Sequence, residues 1–299
     1  MRLSYTIQDT DNFMNVKEVL KTRFQVSNRL LLKLKKEQKI LINGLQAFVW
    51  SQVKNNDIVE ILIDFEENNS NIPATKMNLD ILYEDEAYLV INKPAGIPIH
   101  PSMEHYKDSL SNGVKYYFDS ISLYKKIRPV NRLDKNTSGI VVFAKNEYIQ
   151  ECLIKQMQTN TFTKEYIAIC DGTFSKKIGT INLPIARKEG SIIERCIDES
   201  HGAPSVTHYE VLKEIQDTDK LYSIIKCKLE TGRTHQIRVH MQAIGHSLIG
   251  DTLYGSSSPL INRQALHAHQ VGLIHPITNQ YVTYIAPLPL DMKKLCNNI

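Results

Sequence analysis

From residue 79 onwards, short apolar runs rich in β-branched and aromatic residues recur along the chain and alternate with polar segments. Runs of this length and composition favour β-strands over helices. The clearest lie at residues 88–91, 140–144, 166–170, 205–212, 221–229 and 281–285. Helical character is present near residues 108–118, 147–158 and 235–244. This order predicts an α+β fold with a large, mixed and mainly antiparallel sheet.

A smaller unit precedes this region, over residues 13–67. Apolar residues at helical spacing predict one helix from Val16 to Phe24, and Ser27 is placed to cap a second helix over Leu30–Leu34. Residues 40–42 are predicted to form a short strand, and Asn43-Gly44 to form the tight turn of a hairpin that follows it. Further strand material is expected at Val49, Val53 and residues 58–63. The expected order is helix, helix and then a small sheet, which together make a small α/β domain.

The stretch from residue 66 to residue 78 is polar, rich in asparagine and contains one proline. Such a composition is typical of a linker. We therefore expect a small first domain at residues 1–68, a linker at 69–78 and a larger domain at 79–299.

Basic residues are concentrated near the N-terminus, although the net charge of the whole chain is only +4. Residues 17–39 contain eight basic and two acidic residues, a local net charge of +6. A local basic face is the electrostatic footprint of a nucleic-acid-binding module, and a solvated helix surface is the alternative. The candidate phosphate contacts are Lys17, Lys21, Arg23, Arg29, Lys33, Lys35 and Lys36.

Several classes of protein are disfavoured by what the sequence lacks. The five cysteines include no C-x-x-C pair, and the histidines around His267 and His269 match no zinc motif, so we expect no metal. Glycine-rich phosphate loops are absent, so we expect no cofactor. The first residues carry no apolar signal core, and no apolar run is long enough to span a membrane. We expect a cytoplasmic protein that makes no membrane contact.

The densest polar segment runs from Arg128 to Lys145 and leads from a loop into an apolar strand. The loop carries Arg132 and Asp134, and Thr137 marks its end. Such an arrangement lets charged side chains project over a sheet while the strand fixes their position. The alternative is a turn whose side chains only satisfy backbone groups.

A second polar segment, residues 231–245, has the pattern of a helix that Thr234 caps and Gly245 ends. Its apolar stripe consists of Ile237, Met241 and Ile244. Arg238 lies in the first turns, where the helix dipole disfavours a cation, so we expect an anionic partner for it. An exposed surface arginine is the alternative. Tyr166, at the start of a predicted strand, is a third candidate whose alternative is an ordinary core aromatic.

Four segments, in order, closely resemble the motifs of the RluA/RluD family of pseudouridine synthases. Residues 131–139, N-R-L-D-K-N-T-S-G, resemble its H-R-L-D-x-x-T-S-G signature, with Asn131 in place of the usual histidine. Residues 92–96, 164–168 and 232–240 resemble its N-K-P-x-G, K-x-Y-x-A and G-R-T-H-Q-I-R-V-H segments. Residues 13–63 resemble the S4-like RNA-binding domain that often precedes this catalytic domain.

The resemblance implies a sheet with a central cleft and a role for each matched residue. Asp134 corresponds to the essential aspartate, Arg238 to the arginine that pairs with it, and Tyr166 to the tyrosine packed against the target uracil. Arg132 corresponds to the arginine that fills the gap left by the flipped base. Further substrate-binding candidates in the motifs are Asn131, Thr137, Arg233, His235 and Gln236.

The expected activity is the isomerisation of uridines in structured ribosomal or transfer RNA, by a monomer without a cofactor. A single carboxylate can act as a nucleophile at C1′ or as a base at C2′, and the sequence leaves both open. One alternative is a noncatalytic RNA-binding or ribosome-assembly protein. The other is a glycosidase, which needs a second carboxylate near Asp134 that the motifs do not provide.

Overall fold

A computed structural model describes residues 1–217 and 220–297. The helices are α1 (Val16–Thr22), α2 (Asn28–Lys36), α3 (Leu110–Ser120), α4 (Glu147–Gln158), α5 (Gln236–Ala243) and α6 (Leu290–Asn297). The strands are β1 (Arg2–Thr6), β2 (Ile40–Ile42), β3 (Leu45–Gln46), β4 (Ile58–Leu62), β5 (Ile81–Glu84), β6 (Tyr88–Lys93), β7 (Arg128–Pro129), β8 (Ser138–Ala144), β9 (Thr163–Asp171), β10 (Ile178–Asn182), β11 (Ile185–Arg187), β12 (Arg195–Ile197), β13 (Val206–Asp217), β14 (Lys220–Leu229), β15 (Leu266–Ile274) and β16 (Tyr281–Ile285).

The large sheet has the order β10-β13-β14-β9-β15-β8-β6-β5, with β16 paired to β15 and β7 paired to β8. All of these pairs are antiparallel except β8 and β15, which run parallel. The predicted α+β fold with a mixed, mainly antiparallel sheet is confirmed. Because its central strands are covered by packed side chains on both faces, β8 is buried along its whole length.

The N-terminal sheet has the order β1-β4-β2-β3. Within residues 13–67 the predicted order of two helices followed by a small sheet is confirmed, but the prediction missed β1, which precedes both helices and pairs along its full length with β4. Val49 and Val53 were also predicted as strand material, but both lie outside the strands. Val49 is buried nevertheless, so its apolar character reflects core packing and not strand pairing.

Local signals in this unit perform as the sequence predicts. The Ser27 hydroxyl accepts a hydrogen bond from the Leu30 amide and caps α2. Asn43 and Gly44 have φ values of 51° and 79°, the left-handed conformation that a tight hairpin between β2 and β3 requires.

The polar stretch 66–78 contains no helix or strand, yet several of its residues are held against the rest of the chain. Glu67 accepts two hydrogen bonds from the Arg128 guanidinium, at 2.6 and 2.7 Å. Although burial acts to raise the pKa of Glu67, its bonds to Arg128 hold that pKa below its ordinary value. Asn69 is buried and donates to the Lys125 carbonyl. The division into residues 1–68, 69–78 and 79–299 stays a prediction, and part of the last range lies outside the described residues.

One apolar core continues from the N-terminal unit into the large sheet. It includes Leu30 and Leu34 of α2, Tyr88 of β6, Val142 of β8 and Leu153 of α4. Two other cores lie on the two halves of the large sheet, one beneath α5 and one beneath α3. Leu133 packs against both of these, so the loop between β7 and β8 lies at their junction.

In the part of the chain that the structure describes, no helix combines the length and apolar character needed to cross a membrane.

Candidate active site

A pocket of about 360 Å³ opens between the β7–β8 loop and α5. It is lined by Arg132, Leu133, Asp134, Thr137, Tyr166, Leu229, Arg233, His235, Gln236, Ile237, Arg238 and Leu266. A wider opening of about 1340 Å³ shares Arg132, Asp134, Tyr166 and Arg233 with it, so the two form one cleft.

Gly139 brings the loop and Tyr166 together. It pairs with Ala268 of β15, which in turn pairs with Tyr166 of β9. The φ of Gly139 is +114°, and a Cβ at this position would lie 2.2 Å from the Ala268 carbonyl oxygen. Any other residue would clash here and strain the backbone. The glycine of the signature segment is therefore needed for the close approach of the two parallel strands.

Three side chains from two distant segments hold the loop in place. Lys93 donates to the Lys135 carbonyl at 2.9 Å, and Arg263 donates to the Asn136 carbonyl at 3.1 Å. Gln264 donates to the Thr137 hydroxyl at 3.1 Å. Because Asp134 directly precedes these residues, its position is set by contacts that lie outside the loop.

Lys93 is completely buried and also donates to the carbonyls of Pro94 and Ile97. Burial lowers the pKa of Lys93 to about 7, although the charge of Asp134 acts to raise it. Lys93 thus supports the loop and adds a titrating group beside Asp134. The role of Lys93 was missed because the N-K-P segment alone does not indicate which carbonyl oxygens the lysine hydrogen-bonds.

Asn131 borders the wider opening of the cleft, but its side-chain amide is used within the protein. Its side chain is buried, donates to the Ile140 carbonyl at 2.8 Å and accepts from the Val142 amide at 2.9 Å. Both partners belong to β8, so the amide group ties the start of the loop to the strand that follows it. These contacts support a positioning role for Asn131 in place of the predicted substrate contact.

Arg238 makes the anionic contacts that its place in the helix predicts, and its strongest partner is one that the sequence reasoning missed. Its Nε and one terminal nitrogen donate to the two oxygens of Asp251, each at 2.7 Å. The other terminal nitrogen donates to Asp134 at 3.3 Å. The guanidinium also lies over the Tyr254 ring, 4.9 Å from its centroid. Asp251 therefore orients Arg238, and Arg238 presents one donor to Asp134.

Asp251 is 1% exposed, whereas the side chain of Asp134 is 25% exposed. Asp251 also accepts hydrogen bonds from the amides of Leu253 and Tyr254. The second carboxylate is thus enclosed and fully engaged. Asp134 is the one of the two that faces the pocket, which disfavours the paired-carboxylate chemistry of a glycosidase.

The start of α5 differs from the prediction. Thr234 was expected to cap the helix, but His235 occupies the cap position with a φ of 59° and makes no capping hydrogen bond. The Gln236 side chain organises this turn instead, because its oxygen accepts from the Arg233 amide and the Thr231 hydroxyl. Gly245 follows the helix with a φ of +84°, as predicted for its end.

His235 is turned towards the reacting end of the pocket. Its Nδ1 lies 2.8 Å from the Tyr254 hydroxyl, and its Nε2 lies 3.8 Å from Asp134. Burial lowers the pKa of His235 below its ordinary value, although Asp134 acts in the opposite direction. A neutral imidazole at neutral pH can exchange hydrogen bonds without adding a second cation next to Asp134.

Tyr166 and Arg132 differ in how much of each side chain is covered. Tyr166 is buried to 7% exposure, and burial raises the pKa of its phenol, so the ring stays neutral beside Asp134. Arg132 is exposed and makes no ion pair or hydrogen bond with any residue that the structure describes. An unpaired cation at the mouth of the cleft is free to enter a nucleic-acid stack or to meet a phosphate.

The remaining predicted substrate-binding residues fall into two groups, those that line the pocket and those whose polar atoms are used within the protein. Arg233 and Thr137 line the pocket, although Arg233 also donates to the Pro204 carbonyl. Gln236 is buried and uses both ends of its amide on the protein, since its nitrogen donates to Val206 and Thr207. Like Asn131, it has the contacts of a positioning residue.

The basic segment separates into paired and unpaired cations. Lys33 lies 3.1 Å from Glu147 and 3.7 Å from Glu67, and Arg23 pairs with Asp11 at 2.5 Å. Lys21 donates to the Val26 carbonyl. Four cations are exposed and have no such partner among the described residues: Lys17, Arg29, Lys35 and Lys36. These four are the ones available to phosphates.

No group of three or more His, Cys, Asp or Glu side chains is arranged to hold a metal ion within the described ranges. His267 and His269 both lie against the Ala286 carbonyl.

A mixed sheet and a pocket that holds an aspartate beside an arginine agree with an enzyme that acts on nucleic acid. The family model described as RNA pseudouridylate synthase matches residues 87–243. The chain belongs to this family and is an RNA pseudouridine synthase, an isomerase.

Similar proteins agree with this assignment. The chain is 41% identical over 278 residues to the uncharacterized RNA pseudouridine synthase YhcT of Bacillus subtilis, covering 93% of this chain and 91% of YhcT. It is 37% identical to the ribosomal large subunit pseudouridine synthase D of Zymomonas mobilis, covering 82% and 80% of the two chains. These relatives support the RluA/RluD-type resemblance.

The fold also matches a solved structure. The structure of human RNA Pseudouridylate Synthase Domain Containing 1 superposes with a TM-score of 0.59 at 28% sequence identity, covering 74% of this chain and 86% of that one.

Proposed function

We propose that the chain isomerises particular uridines in structured RNA and that Asp134 is its reacting carboxylate. The observation that carries this proposal is the placement of Asp134 at the pocket, 3.3 Å from an Arg238 nitrogen, beside the buried ring of Tyr166. In this reaction the C1′–N1 bond of uridine breaks, the uracil turns, C5 bonds to C1′ and loses its proton, and N1 gains one. The product is an isomer of the substrate, so no group donor or oxidant is required.

Each charged or aromatic residue of the pocket has a separate role in this proposal. The target base leaves its stack at a cost of a few kcal/mol, and the exposed guanidinium of Arg132 is placed to occupy the gap. Stacking on an aromatic ring is worth about 1–3 kcal/mol per base, which Tyr166 supplies. Arg238 donates a hydrogen bond to Asp134, and Asp251 holds Arg238 in the required orientation.

For the RNA contacts, we propose that residues 1–68 form an S4-like RNA-binding domain. The unpaired cations Lys17, Arg29, Lys35 and Lys36 support it. The names of relatives such as ribosomal large subunit pseudouridine synthase D make ribosomal RNA the first substrate to test, with transfer RNA next. We further propose that the protein acts as a monomer in the cytoplasm.

The test uses RNA from cells that lack the protein, incubated with the purified full-length enzyme. We expect pseudouridine and no free uracil. Asp134→Asn should lower the rate at least about 100-fold, as the loss of an acid–base or nucleophilic group does, while RNA binding is retained. Free uracil as the product would establish a glycosidase, and an active Asn variant would exclude Asp134 as the reacting group.

The same assay separates the two chemical routes. A substrate deuterated at C2′ slows the reaction if Asp134 removes that proton, and it reacts at the normal rate if Asp134 attacks C1′.

A further inference from the structure

On the N-terminal unit, two large aromatic side chains are exposed and stacked on each other. Phe48 is 53% exposed and Trp50 is 66% exposed. Their ring centroids are 4.9 Å apart and the rings are parallel. Aromatic rings of this size normally contribute to a core, so a stacked pair that covers no core calls for another role.

The turn that carries the pair is held in one conformation. The Phe48 amide donates to the Ser51 hydroxyl, and the Ser51 amide donates to the Phe48 carbonyl, both at 3.0 Å. Val49, which lies between Phe48 and Trp50 in the sequence, is buried in the core and anchors the turn. The Lys17 amide donates to the Val49 carbonyl at 2.9 Å, which places the start of α1 beside the turn. The rings are therefore presented in advance of any partner.

A pocket of about 470 Å³ adjoins the rings, between α2 and the β2–β3 hairpin. Its walls include Phe48 and Trp50, the ammonium-bearing side chain of Lys35, and the amide side chains of Gln38 and Gln46. Neither amide side chain makes a hydrogen bond to another described residue. The surface thus offers an aromatic face, hydrogen-bonding groups and a cation.

This combination fits an unpaired nucleotide. A nucleobase has an apolar π-face and polar edges, and its phosphate carries a negative charge. Proteins that bind single-stranded nucleic acid combine aromatic stacking with basic residues in the same way. Lys35 lines this pocket, and Lys17 and Lys36 lie on the same two helices, α1 and α2, that adjoin the turn and the pocket. None of the three has an ion-pair partner among the described residues, which favours an anionic ligand over an apolar one.

We propose that Phe48, Trp50 and Lys35 form a second nucleotide-binding site, which stacks an unpaired base of the RNA substrate outside the catalytic pocket. The proposal rests on the proposed RNA-binding role of residues 1–68 and names the ligand and the residues of that role. The site adds affinity that depends on bases, whereas the surrounding cations add affinity that depends on phosphates alone.

The chain contains a single tryptophan, so Trp50 reports on its own site. The full-length protein is titrated with a short oligouridylate and with an abasic oligomer of equal length and charge. We expect the oligouridylate to quench the Trp50 fluorescence and the abasic oligomer to leave it unchanged. Equal quenching by both would overturn the proposal, because it would show a response to charge alone.

Affinity for the substrate RNA is then measured by anisotropy of labelled RNA. The double variant Phe48→Leu with Trp50→Leu keeps an apolar surface and removes the π-faces. We expect its dissociation constant to rise about 5- to 100-fold, the range for the removal of one stacked base. Its dependence on salt should stay that of the wild type, because every phosphate contact is kept. Tyr281→Leu replaces another exposed aromatic, on β16, and serves as the matched control, with unchanged affinity expected.

The outcomes separate this proposal from the wider one. If Lys35→Gln with Lys36→Gln weakens binding and the double Leu variant binds as the wild type, the N-terminal unit binds RNA without the stacking site, and the inference is overturned. If neither variant changes binding, both the stacking site and the proposed RNA-binding role of residues 1–68 are overturned. A wild-type dimer that becomes a monomer in the double Leu variant would instead assign the rings to a second copy of the chain. Circular dichroism melts verify that each variant is folded.

Discussion

In the catalytic cleft, Arg238 contacts two carboxylates and an aromatic ring, and Asp251 uses both of its oxygens. On the N-terminal unit, Arg29, Lys35 and Lys36 project into solvent without a charged partner among the described residues. The first arrangement fixes the geometry of one reacting group, since a charge with several partners has few alternative positions. The second leaves charges free for a ligand. We therefore propose that basic residues serve chemistry in the cleft and attraction of RNA on the N-terminal unit, according to how many contacts each makes.

The strongest test of this contrast removes the cleft's central cation. Arg238→Met leaves the buried Asp251 without its cationic partner, and breaking one side of a buried ion pair costs about 3–5 kcal/mol of stability. It also removes the donor that faces Asp134, so the rate at saturating RNA should fall sharply. Single-turnover rates and denaturant unfolding measure the two effects.

A second variant distinguishes stability from chemistry. Adding Asp251→Asn to Arg238→Met replaces the stranded charge with a neutral amide that can still accept from the Leu253 and Tyr254 amides. We expect stability to recover in part while activity stays low. A single Met variant that turns over saturating RNA at the wild-type rate would show that Asp134 does not need Arg238.

An intermediate effect is expected for the buried cation of the cleft. The pKa of Lys93 is about 7 in the folded chain, against an ordinary value of 10.5. Between these values the unfolded chain holds a proton that the folded chain has released, so the free energy of unfolding rises with pH over this window. Lys93→Met removes this pH dependence. The stability of the wild type relative to this variant should therefore increase from pH 7 to pH 10 in denaturant titrations, and parallel pH curves would contradict the burial of a titrating Lys93.

The smallest effect is expected on the N-terminal surface. Replacing Arg29, Lys35 and Lys36 by glutamine should leave the saturated rate unchanged. It should reduce the slope of log affinity against log salt by roughly 1 for each phosphate that the protein no longer neutralises. Glutamine at Arg23 is the matched control, because Arg23 is occupied by Asp11. Equal slopes in the wild type and the triple variant would remove the distinction between paired and unpaired cations.

These substitutions test the N-terminal unit better than its removal would. Its α2 residues Leu30 and Leu34 share a core with Tyr88 and Val142 of the large sheet. Cutting the chain near residue 70 would expose that apolar surface, so a loss of RNA binding could then reflect damage to the catalytic part.

The sequence predicts what is encoded locally. The capping by Ser27, the Asn43-Gly44 turn and the bounds of α4 depend on neighbouring residues, and the structure confirms them. The motif segments indicate Asp134, Tyr166 and Arg238, which the fold brings to one pocket.

What the sequence does not show depends on contacts between distant segments. Arg263 supports Asn136 from 127 residues away, and no spacing rule links them. Asp251 lies outside every motif and becomes recognisable only when α5 is packed against its loop. The error at Thr234 has a similar origin, because the Gln236 side chain satisfies the turn that the threonine was expected to cap.

Glu67 joins Lys33 of α2 to Arg128 of β7, the strand that leads directly into the loop of Asp134. The surface that we propose to bind RNA is thereby braced against the segment that carries Asp134, the proposed reacting group. An RNA that binds both the N-terminal surface and the cleft would contact two points at a fixed distance. The enzyme would then select its uridine by the distance, in the folded RNA, between that uridine and the nucleotide bound at the N-terminal surface. Lengthening or shortening the RNA between those two points would then move the modified position, even where the sequence around the uridine is unchanged.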